Sequence, residues 1–142
     1  MKDPAIKEKL LIISVTEDET IEAAGGEYVD GAVVTSLRSF GQFAIGIDTV
    51  APHITPLYGN VSGDLSGKKA IKFTIVDDLS GIKKYEGYID NHWVLFEYDM
   101  KNDLISYTFD NDRIDSGSEH ELELYVSDNK GNVNLFHTTF TW

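Results

Sequence analysis

The chain contains no cysteine. That excludes disulfide staples, thiolate metal sites and a cysteine nucleophile, and it leaves the cellular compartment open. Proline is scarce, with 3 in 142 residues, and two of them fall in one short segment, "DTVAPHITP", Asp48 to Pro56. Basic residues number 12 against 24 acidic ones, for a net charge of −12. A field of that sign repels phosphate backbones and anionic lipid surfaces, so no nucleic acid partner and no membrane insertion are expected. No apolar run reaches the length of a membrane-spanning helix. The opening "MKDPAIKEK" also lacks the apolar core of a signal peptide. An exported role would therefore require this chain to be an internal piece of a longer protein.

What is present is alternation. Hydrophobic residues make up 42% of the chain, enough to bury the core of one domain, or of a small domain plus a fragment. "LLIISVTE" (Leu10–Glu17) is short and β-branched, and "GAVVTSLRSF" and "GQFAIGID" follow it. Asp30-Gly31 lies between β-prone segments and signals a hairpin. The first 48 residues read as about four short strands, with at most one helical turn over Glu17–Ala24. Pro52 and Pro56 each remove a ladder donor and hold their predecessors extended, which suits a boundary leading into an edge strand.

Beyond that boundary the period of two is clean. Ile71, Phe73 and Ile75 share one face of "AIKFTIVDD", and Lys72 and Thr74 the other. "GIKKYEGYID" and "HWVLFEYD" flank the turn-prone Asp90-Asn91. "LISYTF", "HELELYVSD" and "NVNLFHTTFTW" complete the set around a polar loop, "DNDRIDSGSEH". Some seven strands joined by Gly, Asp and Asn turns predict an all-β chain: an immunoglobulin-like antiparallel β-sandwich over residues 49–142, preceded by a small β-subdomain over 1–48, the tail of a preceding sandwich module.

"DTVAPHIT", "FTIVDDLSGI" and "ELYVSDNKGNVNLFHTTF" together resemble the bacterial immunoglobulin-like modules that occur in tandem on exported proteins. The longer stretches "GGEYVDGAVVTSLRSFGQFAIGIDTVAPHITP" and "DDLSGIKKYEGYIDNHWVLFEYD" are similar to the C-terminal β-rich region of lysostaphin-type zinc metallopeptidases. The resemblance implies a cell-envelope location, periplasmic or extracellular, and neighbouring domains as partners. It also implies a non-catalytic accessory, spacer or targeting role beside a peptidoglycan-hydrolysing catalyst. No cofactor is implied. Nothing catalytic carries over residue by residue. Such a peptidase needs a His-x-His pair, and the four histidines here are His53, His92, His120 and His137.

Several chemistries can be weighed on the residues themselves. The polar loop sets Asp110, Asp112 and Glu121 at positions 1, 3 and 12 of a calcium loop. However, Ile114 stands at position 5, and Asp115 stands where the sharp turn needs glycine. A calcium site of another geometry would draw on Asp110, Asp112, Asp115 and Glu121, as in a calcium-dependent adhesion module; a solvated loop explains the same residues. Asp77 and Asp78 are neighbours on a strand and point to opposite faces, which is unsuited to paired-acid glycoside hydrolysis. Ser80 lies in "LSGI" rather than a nucleophile elbow. Tyr85, Tyr88, Trp93 and Tyr98 crowd one hairpin. They read either as a stacking platform for peptidoglycan or another glycan, in a carbohydrate-binding module, or as sandwich core with interdomain packing. Asp77-Asp78-Leu79-Ser80-Gly81 and Asp128-Asn129-Lys130-Gly131 share one grammar, an acidic turn closed by glycine, and both are expected to be structural. The chain itself is expected to be no enzyme.

Overall fold

The alternation of "AIKFTIV" becomes a strand whose Ile71, Phe73 and Ile75 are buried while Lys72 is exposed. A computed structural model describes residues 4–57, 59 and 61–142. Residues 1–3 of the expected N-terminal unit lie outside the described residues. In chain order the elements are α1 (Pro4–Lys7), β1 (Leu10–Val15), β2 (Ile21–Gly25), β3 (Glu27–Val29), β4 (Ala32–Val34), β5 (Gln42–Ile47), β6 (His53–Pro56) and β7 (Gly63–Asp64). There follow β8 (Ala70–Val76), β9 (Ile82–Ile89), β10 (His92–Val94), β11 (Glu97–Asp99), β12 (Leu104–Thr108), β13 (Glu119–Asp128) and β14 (Val133–Thr141).

From β6 onward the strands form two sheets. One runs β11-β12-β8-β6 and the other β10-β9-β13-β14-β7. Matched to the lettering of an immunoglobulin sandwich, β6, β8, β12 and β11 take the places A, B, E and D. The strands β9, β13 and β14 take C, F and G. The chain is thus all-β and immunoglobulin-like, with β10 added beside C and β7 pairing parallel to G. The core between the sheets draws Ile71, Phe73 and Ile105 from one side and Ile89, Leu122, Leu124, Val126 and Phe140 from the other. Trp142 folds back onto the sandwich. Its ring stacks on Phe109 at 4.9 Å, and its indole N–H donates to the Lys68 carbonyl at 3.0 Å.

The segment His92–Asp99, expected as one strand, is two. β10 pairs with β9, and the chain then crosses at Leu95-Phe96 and enters the opposite sheet as β11 beside β12. Val94 and Phe96, on either side of the crossing, are both buried. Phe96 lies so close over Gly87 that a Cβ there would come within 2.2 Å of its ring.

The first 48 residues form a three-stranded sheet, β2-β1-β5, and a hairpin, β3-β4. The hairpin turns at Asp30-Gly31 as expected, both with positive φ (48° and 93°). Glu17–Ala24 holds no helical turn. The Thr20 amide instead donates to the Thr16 hydroxyl at 3.0 Å, Glu19 takes a φ of 64°, and the chain returns as β2. The one short helix among the described residues, α1, lies earlier. In this unit Leu10 and Leu11 are the buried hydrophobic residues among those described, while Phe40, Ile45 and Ile47 stand exposed.

Candidate functional site

Two strands of opposite sheets run off their ends at one place. On β8 the inward phase is Ile71, Phe73 and Ile75, and two residues further on is Asp77. On β13 it is His120, Leu122, Leu124 and Val126, and then Asp128. Because side chains repeat every second residue, both acids continue the core-facing rows of their strands. Asp48, which ends the N-terminal unit, meets them there. Carboxylate oxygens of Asp48, Asp77 and Asp128 all lie within 4.8 Å of one another.

Each carboxylate also organises a turn. Asp77 accepts from the Leu79 and Gly81 amides at 3.2 and 2.7 Å. Asp128 accepts from the Lys130 and Asn132 amides at 2.7 and 2.9 Å, and from the Asn132 side-chain amide at 2.6 Å. Asp48 reaches across to the Ser80 amide at 3.0 Å, and its carbonyl accepts from Asn132 Nδ2 at 3.1 Å. Asp48 is 3% exposed and Asp128 fully buried, and among the described residues no basic side chain forms an ion pair with any of the three. Burial, and after it the neighbouring charges of Asp48 and Asp128, push the Asp77 carboxyl above the usual range. The two amide hydrogen bonds offset this only in part. The Ser80 hydroxyl, beside the same cluster, is buried with no hydrogen-bond partner.

Oxygen atoms so spaced can surround one hard cation, since calcium takes oxygen ligands about 2.3–2.6 Å away and a carboxylate oxygen bonded to one amide keeps a free lone pair. The cluster holds three carboxylates and, among the described residues, no histidine. Further bonds tie the N-terminal unit to this end of the sandwich. Lys9 Nζ donates to the Lys130 carbonyl at 2.7 Å, and Lys130 Nζ donates to that of Gly26 at 2.5 Å.

The residues singled out in the sequence fall elsewhere. Asp110, Asp112, Asp115 and Glu121 do not gather. Asp110 caps the Asp112 amide at 2.9 Å, Asp115 offers its carbonyl to His120 at 2.8 Å, and Glu121 lies 2.6 Å from His137 Nε2 on the outer sheet face. Their loop is folded around Ile114, which is buried. The four aromatic residues divide by parity. Tyr85 and Tyr98 pack against the core as an edge-to-face pair at 5.4 Å. Tyr88 points outward and meets Tyr125 at 6.1 Å. Trp93 sits opposite Tyr88 in register and is 55% exposed. Nothing from the N-terminal strands covers it.

At the far end of β13, the other inward polar residue is His120. Its Nδ1 is 2.6 Å from Asp90, and its Nε2 is 2.8 Å from the Asp115 carbonyl. A carbonyl and a carboxylate both require a donor, so the ring carries both protons. Burial opposes that charge most, but the Asp90 and Asp115 bonds outweigh it and raise the His120 pKa.

An immunoglobulin-like sandwich preceded by a smaller β-unit defines the class of this chain: an all-β protein. Residues 2–48 match the family model described as the Zu5-like domain. No curated protein matches the chain. Among solved structures it is similar to the endo-beta-1,4-mannanase from Thermotoga petrophila, with a TM-score of 0.48 and 13% identity over 66% of this chain and 20% of that one. It is also similar to the fibronectin(III)-like modules of Clostridium thermocellum CbhA, with a TM-score of 0.46 and 12% identity over 99% of this chain and 80% of that one. This chain therefore spans a fifth of the mannanase's length. The likeness to lysostaphin-type metallopeptidases is not among these similarities.

Proposed function

We propose that this chain is a non-catalytic accessory or spacer region of an exported bacterial cell-wall protein. It would hold a neighbouring catalytic domain, in the narrowest reading a peptidoglycan-hydrolysing metallopeptidase, at a set distance and orientation. The observation that carries this reading is the bonded junction. Asp48, Ser80, Asn132, Lys9 and Lys130 connect the small unit to the turn end of the sandwich through backbone acceptors and donors. Residues 1–48, with apolar residues left open on β5, serve in this reading as the tail of a preceding β-module. Small-angle scattering tests the spacer role. The intact chain should fit one fixed arrangement, and Asp48→Ala with Asn132→Ala should broaden it. Equal flexibility in both proteins sinks the reading.

A second reading is favoured by the same junction: calcium stiffens it at Asp48, Asp77 and Asp128. Three close carboxylates without a basic partner, beside a buried hydroxyl lacking one, suit a divalent cation. Millimolar calcium should raise Tm, and chelator should reverse the rise. A Tm indifferent to both removes calcium from the account.

A further inference from the structure

At the end of the sandwich away from Asp77, β12 runs into the loop 110–118, and a groove of about 250 Å³ opens beside β10. Register places it there: Thr108 pairs with Ala70, at the opposite end of β8 from the acidic cluster. Trp93 and Leu95 form one wall, 55% and 61% exposed, and Asp110, Arg113 and Glu97 line the rest. The floor includes Tyr107. That residue is only 5% exposed, and its hydroxyl has no hydrogen-bond partner. Neither the Arg113 guanidinium nor the Glu97 carboxylate makes an ion pair among the described residues.

We propose that this groove binds a single uncharged pyranose unit of a glycan, stacked on Trp93, with its hydroxyls held by Asp110 and Arg113. The chemistry selects the ligand. An exposed indole suits the apolar C–H face of a sugar ring. A carboxylate accepts from sugar hydroxyls, and a guanidinium donates to adjacent oxygens. The two carboxylates and the chain's net charge of −12 disfavour anions, and the Arg113 guanidinium offsets one of the two carboxylates. The volume is below that of a typical drug-sized pocket, about 300–1,000 Å³, which fits one ring of a chain end rather than an extended polymer. The aromatic platform read from sequence is thereby reduced to Trp93, with partners from a loop far along the chain. The site stands apart from the spacer reading, because it uses the sandwich alone.

The test is NMR titration of the intact chain with the methyl glycosides of glucose, mannose and galactose and with N-acetylglucosamine, and with choline as a cationic control. Binding of at least one sugar in the millimolar range is expected, with shifts at the Trp93 indole and Arg113 and none at the Trp142 indole. Trp93→Ala should weaken binding about tenfold. Tyr107→Phe, which removes a buried hydroxyl without an internal partner, should leave binding unchanged while Tm stays equal or rises. Arg113→Gln should also weaken it. Silence from all four sugars, binding of choline alone, or wild-type affinity in Trp93→Ala and Arg113→Gln would overturn the proposal. Loss of junction stiffness in the scattering experiment would leave it untouched.

Discussion

Asp77 separates two effects that one substitution confounds. Its carboxylate caps the Leu79 and Gly81 amides, yet burial and the nearby Asp48 and Asp128 make its charge unfavourable. Asp77→Ala should lose about 1–2 kcal/mol through the uncapped turn. Asp77→Asn keeps an acceptor and removes the charge, so at pH 7 without divalent ions it should melt at or above the wild-type temperature. The sign follows from linkage. A carboxyl raised in the folded state loses stability as pH climbs from its unfolded value of 3.8 through its folded one. The Asn advantage should therefore close below about pH 3.8 in thermal melts; an advantage unchanged at that pH would refute the charge argument. His120 carries the opposite lesson. Its folded pKa lies above the unfolded 6.5, so its contribution is complete below 6.5 and is lost as pH rises through the folded value. Asp90, held below its ordinary 3.8 by the His120 bond against the pull of burial, loses its own contribution as pH falls through its folded pKa. Urea midpoints of wild type should drop from pH 6 to pH 9, and His120→Gln should flatten that slope.

Among the elements, the crossing between β10 and β11 is the one that alternation misread. "HWVLFEYD" continues its period of two without a break, and no Gly or Pro marks the point where the chain changes sheets. What decides the crossing is Phe96, which needs a hole, and Gly87 on β9, which supplies one by having no side chain. Gly87→Ala should cost about 3 kcal/mol by overpacking, read as a fall in the denaturation midpoint. Phe96→Leu added to it should recover part of the loss, and a second substitution that recovers nothing would show that this contact is not the cause. β2 escaped notice for a related reason. Glu17–Thr20 is polar and turn-like, and Ile21–Gly25 has weak alternation, so its strand identity comes from pairing with β1. The inward direction of Asp77 and Asp128, in contrast, was legible. Asp77 and Asp128 each sit in phase with three core residues, and extending the inward rows by one step predicts that both point between the sheets. Reading their turns as punctuation alone stopped that step short.

For the whole molecule, the core runs from Val61 to Phe140, with Ile54 packed against it, and takes nothing from the first 48 residues. Residues 49–142 should therefore fold alone, with a cooperative melt close to that of the full chain. A truncated protein without cooperative unfolding would show that the two units share one stability. The sequence by itself determined the all-β class, the strand phases, the hairpin turns at Asp30-Gly31 and Asp90-Asn91, and the exclusion of thiol chemistry, because side-chain alternation and turn dihedrals are local properties. Only the tertiary structure decided which carboxylates meet. Asp48, Asp77 and Asp128 are separated by 29 and 51 residues, and loop 110–118 reaches Trp93 only through the pairing of β8 with β12. No local rule encodes such distances, because they follow from how two sheets close over a common core.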